Sequence, residues 1–307
     1  MWCAVEKCPT RRAHRPTEVA RGHIHAPSTP AMGARLAVPA VLSMVGGYVD
    51  VICFIRYSTF VATMTGNLVI TGQTFFEVIH QMAGKHEIAR SSPEPIKNHL
   101  SWELALKLVI FRSLVMAFNC FGAMAYCELQ RHYPNATAKT AAPFVAVLAL
   151  MPDIVFLWLE KHDYGSVLAM LSVSCLALSL GFTHFLCSPA AEGSRLKAVT
   201  MAATGHMHGC TKMNHKLLVK GRDALKQADW DKYTVSMIIT VGMAVGAILG
   251  AAALHMNPIG DDTDDWLLVP VAITLFFALR AHDAYIPPPG GWPVANGALN
   301  EPLNGKA

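Results

Sequence analysis

Residues 46–72 have the sequence GGYVDVICFIRYSTFVATMTGNLVITG, and this stretch decides the fold class. An apolar run with one acid, Asp50, is followed by a very short turn and a second apolar run that carries Thr65, Gly66 and Asn67 near its start. We expect an antiparallel pair of membrane helices that brings these residues to one depth. A carboxylate and an amide are costly in hydrocarbon, so they must face protein, water or a ligand there.

The rest of the chain has the same apolar character. Of its 307 residues, 53% are hydrophobic and 15% are charged, and the mean hydropathy is +0.35. An ordinary soluble domain is about one-quarter charged, so this composition indicates an all-α integral membrane protein. Apolar segments of about 17 to 23 residues predict eight transmembrane helices, or six if 60–81 and 198–218 are re-entrant. The segments cover residues 36–56, 60–81, 105–127, 141–159, 166–187, 198–218, 235–255 and 266–284.

Basic residues outside the apolar segments predict the orientation in the membrane. Residues 1–35 are rich in Arg and lack the apolar core of a secretory signal peptide, and a second basic cluster extends from Lys216 to Lys232. Eight helices place both clusters on one side and the acidic loop Asp261–Asp265 on the other. Because cytoplasmic loops are enriched in Lys and Arg, we expect both tails in the cytoplasm. The choice between the plasma membrane and an organelle membrane stays open.

An internal repeat divides the single membrane domain, 36–285, into residues 36–159 and 166–285. We expect this domain to lie between a disordered basic leader, 1–35, and a disordered tail, 286–307. The aligned motifs are GYVD at 47–50 with GFTH at 181–184, TGN at 65–67 with TGH at 204–206, and GA at 122–123 with GA at 246–247. An offset of four crossing helices preserves direction, so the sequence predicts two parallel four-helix repeats.

The repeat places His184, Thr204, Gly205 and His206 at positions equivalent to the polar residues of the first stretch. We therefore expect Asp50 and its neighbours to line one polar cavity together with these residues, between the two halves. Such a cluster can bind a small polar solute or an ion. In the structural alternative, Asp50 only caps the next helix or hydrogen-bonds to it.

Two further features concern helix packing. Arg112 and Asp153 each lie about six residues from the same side of adjacent apolar segments, which predicts a buried ion pair that sets the register of the two helices. Gly242, Gly246 and Gly250 form a small-residue pattern that lets helix backbones approach closely. Their partner is another helix of the chain or, in a homo-oligomer, another subunit.

The motifs also carry a family resemblance. GGYVD followed by FVATMTGNLVITG, together with SLGFTHF and the TGH of VTMAATGHMHG, resembles the signature of the YoaK-like family of uncharacterised membrane proteins. The resemblance covers roughly residues 36 to 285 and departs from the family at His184, where an amide is more common. It implies a polytopic membrane fold and supplies no reaction.

These observations predict a secondary transporter or permease for a small polar solute. The alternative is a non-transporting scaffold or sensor whose polar residues only hold helices together. The sequence has no phosphate-binding glycine loop, HExxH or GxSxG, so we expect no enzyme activity and no cofactor. No metal site is predicted, because His206 and Cys210 are only two ligands on one helix face. The lipid bilayer and the solute are the expected partners, and no nucleic acid is.

Overall fold

The computed structural model describes residues 29–82, 102–158, 166–188, 203–221, 227–256 and 266–286. In these ranges the chain is all-α, without a strand, which confirms the predicted fold class. The helices are α1 (Thr29–Tyr57), α2 (Met64–Met82), α3 (Trp102–His132), α4 (Thr137–Trp158), α5 (Val167–Cys187), α6 (Ala203–Lys220), α7 (Gln227–Met256) and α8 (Val269–Tyr285). Each predicted apolar segment corresponds to one helix. The predicted leader and tail lie outside the described residues, except that α1 already begins at Thr29.

Among the described residues, five helices are long and apolar enough to cross a membrane, namely α1, α3, α4, α5 and α7. The last helix, α8, is shorter, with 17 residues. The other two, α2 and α6, correspond to the segments whose full crossing the sequence left open, and α6 carries several Lys and His side chains. The chain therefore has helices typical of an integral membrane protein. Five of the described helices meet the criteria of length and hydropathy, fewer than the eight predicted.

The most extensive helix packing joins α1 to α7 along a row of glycines. A Cβ on Gly47 would collide with the carbonyl of Met243, and one on Gly246 would collide with the carbonyl of Met44, so only glycine permits this approach. Along the interface, Gly242 lies against Ser43, Gly246 against Met44 and Gly250 against Tyr48. The two helices therefore run in the same direction. All three glycines contact α1 of the same chain, so they do not form an interface between subunits.

The packing of α3 on α5 repeats this arrangement. A Cβ on Gly181 would collide with the carbonyl of Asn119, and one on Gly122 would collide with the carbonyl of Leu178. Gly181 aligns with Gly47 and Gly122 aligns with Gly246. Each aligned glycine therefore meets a backbone carbonyl at the aligned position of its partner helix. Each interface also joins one helix of the first half to one helix of the second.

Aromatic residues fix the direction of α3 relative to α5. The ring of Tyr126 contacts the rings of Phe182 and Phe185, at centroid distances of 5.5 and 5.8 Å. Tyr126 follows Gly122 along α3, just as the two phenylalanines follow Leu178 along α5. The helices therefore run in the same direction, as α1 and α7 do.

The α4 and α8 helices lie side by side in opposite directions. Near the end of α8, the carboxylate of Asp283 accepts a hydrogen bond of 2.8 Å from the backbone N–H of Lys139, in the first turn of α4. Near the end of α4, the carboxylate of Asp153 accepts one of 2.7 Å from the backbone N–H of Leu268, just before α8. Because a parallel repeat would give α4 and α8 the same direction, the predicted parallel orientation is wrong.

The reason for that error lies in α2. The N–H groups of Val61 and Ala62 lie beside Asp50, so α2 starts well below the end of α1. Arg112 then contacts both Ser58, at the end of α1, and Thr74, in the middle of α2. From the level of Asp50, α1 and α2 therefore run in the same direction. The expected antiparallel hairpin of α1 and α2 is not formed, and α2 packs mainly on α3.

Candidate functional site around the start of α2

The chain reverses direction immediately after α1. Ser58 has a φ of 52°, in the left-handed region, and its N–H still donates to the carbonyl of Phe54 at 2.9 Å. Residues 59–63 then return along the end of α1 to the level of Asp50, where α2 begins. We call residues 58–63 the return segment. Beyond the N–H of Ser58, its backbone hydrogen bonds in the structure are made with side chains, which satisfy the buried polar groups.

Asp50 supplies the first set of these bonds. One carboxylate oxygen accepts from the backbone N–H groups of Val61 and Ala62, at 2.9 and 2.7 Å. The other accepts from the hydroxyl of Thr63 at 2.8 Å. Asp50 is buried, and its negative charge lies at the positive end of the α2 dipole. The geometry is the capping arrangement that the sequence left as the structural alternative for this residue.

Asn67 holds the middle of the return segment. Its side-chain oxygen accepts from the N–H of Phe60 at 2.8 Å and from the hydroxyl of Thr59 at 3.0 Å. Its side-chain amide donates to the carbonyl of Phe60. Asn67 is completely buried, whereas Thr65 is exposed. Gly66 leaves room for the ring of Phe60, which a Cβ would strike.

Arg112 holds the beginning of the return segment. Its guanidinium donates to the carbonyl of Ser58 at 3.1 Å and to the hydroxyl of Thr74 at 2.8 Å. The predicted ion pair of Arg112 with Asp153 is therefore not formed. The sequence placed the two charges at one depth on adjacent helices, but α3 and α4 pack little on each other, because α3 lies on α5 and α4 on α8.

Asp153 belongs to a different buried cluster. It accepts from Leu268, and the hydroxyl of Tyr48 donates to the neighbouring carbonyl of Leu267 at 2.8 Å. The guanidinium of Arg56 lies over the ring of Phe156, 5.8 Å from its centroid. Arg56 and Asp153 both lie close enough to Tyr48 to act on it electrostatically. The cluster joins α1, α4 and the start of α8, and the sequence analysis did not identify Arg56.

A cavity of about 560 Å³ lies beside Asp50, between the first half and the second. Its polar lining residues are Asp50 and Thr63 from the first half and Thr240 from α7. The other lining residues are apolar and include Phe54, Phe60 and Met207. Of the predicted site residues whose side chains are described, only Asp50 lines this cavity.

Of the predicted second-half residues, His184 and His206 are described, and neither lines the cavity beside Asp50. His206 pairs with the hydroxyl of Ser236 on α7, at 3.1 Å, one turn before Thr240. His184 is half-buried on α5, and its Nδ1 has no hydrogen-bond partner. The side-chain surroundings of Thr204 and Gly205 lie outside the described residues. The single six-residue cavity predicted from the sequence is therefore replaced by a smaller site that is built mainly from α1, the return segment and α7.

The chain belongs to the family described as proteins of unknown function, DUF1275, whose model matches residues 38–280. This match confirms the family resemblance carried by the GGYVD and TGN motifs. No curated protein and no solved structure matches the chain. The family description assigns no activity, so the function has to be argued from the site.

Proposed function

We propose that this member of the DUF1275 family is a secondary transporter for a small solute, which it binds in the cavity beside Asp50. The observation that carries the proposal is the way the halves combine. Equivalent glycine contacts join α1 to α7 and α3 to α5, and α4 pairs with α8 in the opposite direction. These contacts support two inverted repeats.

Inverted repeats are a recurrent architecture of secondary transporters, in which the substrate site lies at the repeat interface beside an interrupted helix. The return segment supplies such an interruption between α1 and α2, and the cavity lies where it meets α7. Non-helical backbone at membrane depth is tolerated only where protein or a cavity surrounds it. Both conditions hold here, because Asp50 and Asn67 satisfy the backbone and the cavity lies beside it.

The helix directions support an orientation with both tails in the cytoplasm. The start of α1, the end of α8, the start of α4 and the start of α7 lie at one end of the bundle. Basic residues concentrate at that end: Arg131, Lys139, Lys216, Lys232 and Arg280. A cytoplasmic excess of Lys and Arg is the usual pattern in membrane proteins. The eight-helix interpretation had placed Arg131 and Lys139 on the opposite side from Lys216.

Cysteine labelling in sealed vesicles tests this arrangement. Single cysteines at Asn135 and at Gly221 should react with a membrane-impermeant reagent from the same side. A cysteine at Trp266, before α8, should react from the other side. Labelling of Asn135 and Gly221 from opposite sides would restore the eight-crossing topology and remove the inverted arrangement.

Solute flux tests the activity itself. The purified full chain in proteoliposomes should take up labelled small solutes from a panel of cationic, neutral and anionic compounds. Asp50→Asn should reduce uptake strongly, because it removes the charge beside the cavity. Thr65→Ala, at an exposed position outside the cavity, is the matched control and should transport normally. Uptake that is equal in protein-containing and empty liposomes for the whole panel would contradict the transporter proposal.

The second candidate is a non-transporting scaffold or sensor. It is favoured by the number of side-chain hydrogen bonds that Asp50, Asn67 and Arg112 direct to the return segment. All three could serve folding alone. Solute flux separates the two candidates. A scaffold shows no flux even in the unmodified chain, and in a scaffold Asp50→Asn lowers only the stability.

A further inference from the structure

The polar groups that line the cavity are hydrogen-bond acceptors in the part of the chain that the structure describes. The hydroxyl of Thr63 donates its proton to Asp50, and the hydroxyl of Thr240 donates its proton to the carbonyl of Ser236 at 2.9 Å. A hydroxyl has a single proton, so each of these two oxygens can offer a ligand only its lone pairs. Asp50, if ionised, is also an acceptor alone. Among the described lining residues there is no Lys, Arg or His.

Two stacked aromatic rings form part of the same wall. The rings of Phe54 and Phe60 lie 4.7 Å apart between centroids, with an angle of 13° between their planes, and both residues line the cavity. The negative face of an aromatic ring attracts a cation within about 6 Å of its centroid. Stacking covers one face of each ring, and a carboxylate and the remaining ring faces favour the same ligand charge.

The volume of the cavity and its apolar lining residues further restrict the kinds of ligand that fit. At about 560 Å³, the cavity is within the range of roughly 300–1,000 Å³ of small-molecule sites. Met207 and Met243 add adaptable apolar surface opposite the aromatic pair. A strongly hydrated inorganic cation would find few oxygen ligands here, since hard cations take about six or more. Most of the cavity lining therefore fits a ligand with an apolar part.

We propose that the cavity binds an organic monocation, a quaternary or protonated amine with an apolar body. The inference rests on the proposed function, because it names the class of substrate that the transporter carries. The ammonium group lies near Asp50, within reach of the hydroxyl oxygens of Thr63 and Thr240, and its alkyl groups contact the phenylalanines. The same group occurs in free amines and in the headgroup of choline lipids.

Equilibrium binding of labelled choline to the purified full chain tests the proposal. The protein is held in detergent free of choline lipids, and unlabelled choline competes with its neutral isostere, in which carbon replaces the quaternary nitrogen. We expect the isostere to compete at least about tenfold more weakly, which is the factor that corresponds to roughly 1.4 kcal/mol. Equal competition by the two compounds, or no binding of choline or of tetraethylammonium, would overturn the proposal.

Bilayer composition distinguishes the two sources of the ammonium group. In nanodiscs of phosphatidylglycerol, a site for free amines and a site for lipid headgroups both bind labelled choline. In nanodiscs of phosphatidylcholine, only the site for free amines still does. Either result supports the cation site. Loss of binding in both bilayers, when detergent samples retain it, would identify detergent as the cause of binding and reject the site.

Conservative variants test the geometry while keeping the hydrogen bonds that Asp50, Asn67 and Arg112 make to the return segment. Phe54→Leu keeps an apolar side chain and removes the ring face, so choline binding should weaken about 2- to 30-fold. Thr240→Val, which removes one acceptor, should also weaken it. Phe144→Leu, on the exposed face of α4, is the matched control and should bind as the unmodified chain does. If Phe54→Leu and Phe144→Leu bind equally, the ring does not contact the cation.

Binding and flux separate this inference from the proposed function. Choline binding without flux of any solute would leave the cation site in place and remove the transporter. Flux of a neutral or anionic solute, without choline binding, would keep the transporter and remove the cation site.

Discussion

Asp153→Ala should destabilise the protein more than Asp283→Ala, although each carboxylate accepts a bond from a backbone N–H at one end of the α4–α8 pair. Asp283 also pairs with the Nδ1 of the buried His282 at 2.9 Å. Leu268 is fully buried, so its N–H would lose its only acceptor and gain no water. An orphaned buried N–H costs about 1–3 kcal/mol. Arg56, also buried nearby, would lose a neighbouring opposite charge, which raises the cost to about 3–5 kcal/mol.

The equivalent loss at the other end is smaller because water can compensate for it. Lys139 is exposed at the first turn of α4, so its N–H can be hydrated when Asp283 is removed. Loss of a side-chain cap at a helix start costs about 0.5–2 kcal/mol. Loss of the bond to His282 adds about 0.5–1.5 kcal/mol. Asp153→Asn separates the two parts of the Asp153 effect, because the amide oxygen can still accept from Leu268 while the charge is gone.

Buried thiols report the unfolding. Cys53 and Cys187 are buried, and a thiol-reactive fluorophore labels them only when the protein unfolds in detergent. Cys120 and Cys127 are exposed and would be replaced by Ser in all variants. Asp153→Ala should lower the thermal midpoint further than Asp283→Ala, and Asp153→Asn should lower it less than Asp153→Ala. An equal shift for the two alanine variants would refute the argument that burial of Leu268 and Arg56 sets the cost.

Two further predictions concern packing and the return segment. Gly246→Ala should lower the thermal midpoint, because its Cβ would collide with the backbone of α1, whereas Gly72→Ala, whose Cβ meets nothing within 4 Å, should leave the midpoint unchanged or raise it slightly. Equal midpoints for these two variants would show that α1 and α7 are not closely packed. Asn67→Ala should cost about 1–3 kcal/mol and expose the return segment to proteolysis, because Phe60 loses its buried partners, and Thr65→Ala should do neither. Unchanged proteolysis of the Asn67 variant would show that Asp50 and Arg112 suffice to hold the segment.

Hydropathy located the helices well and their directions poorly. Long apolar runs in a membrane protein have to be helical, because each backbone group needs a partner within the chain, so segment position follows from composition. Direction does not. The six residues of the return segment read as a simple turn between two crossings, but the left-handed Ser58 and the bonds from Asp50 fold them back beside α1. This one misjudged link led to the predicted parallel relation between the halves, with which the antiparallel packing of α4 on α8 disagrees.

The sequence predicted part of the candidate site and missed the rest, for a related reason. Asp50 and Asn67 were identifiable because polar groups in an apolar run need partners, and both have them. Phe54 and Thr240 were not identifiable, since an aromatic residue and a threonine are ordinary in a membrane helix. Their role depends on the packing of α1 against α7, which joins residues about two hundred positions apart and which no local pattern specifies.

The position of Asp50 is also where the two halves differ most in chemistry. In the first half, the carboxylate accepts three hydrogen bonds from the return segment and fixes the start of α2. The aligned residue in the second half is His184, whose Nδ1 has no hydrogen-bond partner among the residues that the structure describes. A neutral imidazole has one acceptor nitrogen, so it cannot hold successive backbone N–H groups as a carboxylate does. In a transporter whose two halves exchange conformations, a carboxylate in one half alone would make the two end states unequal in free energy. For the transporter proposed above, we therefore predict a preference for one state before any solute binds.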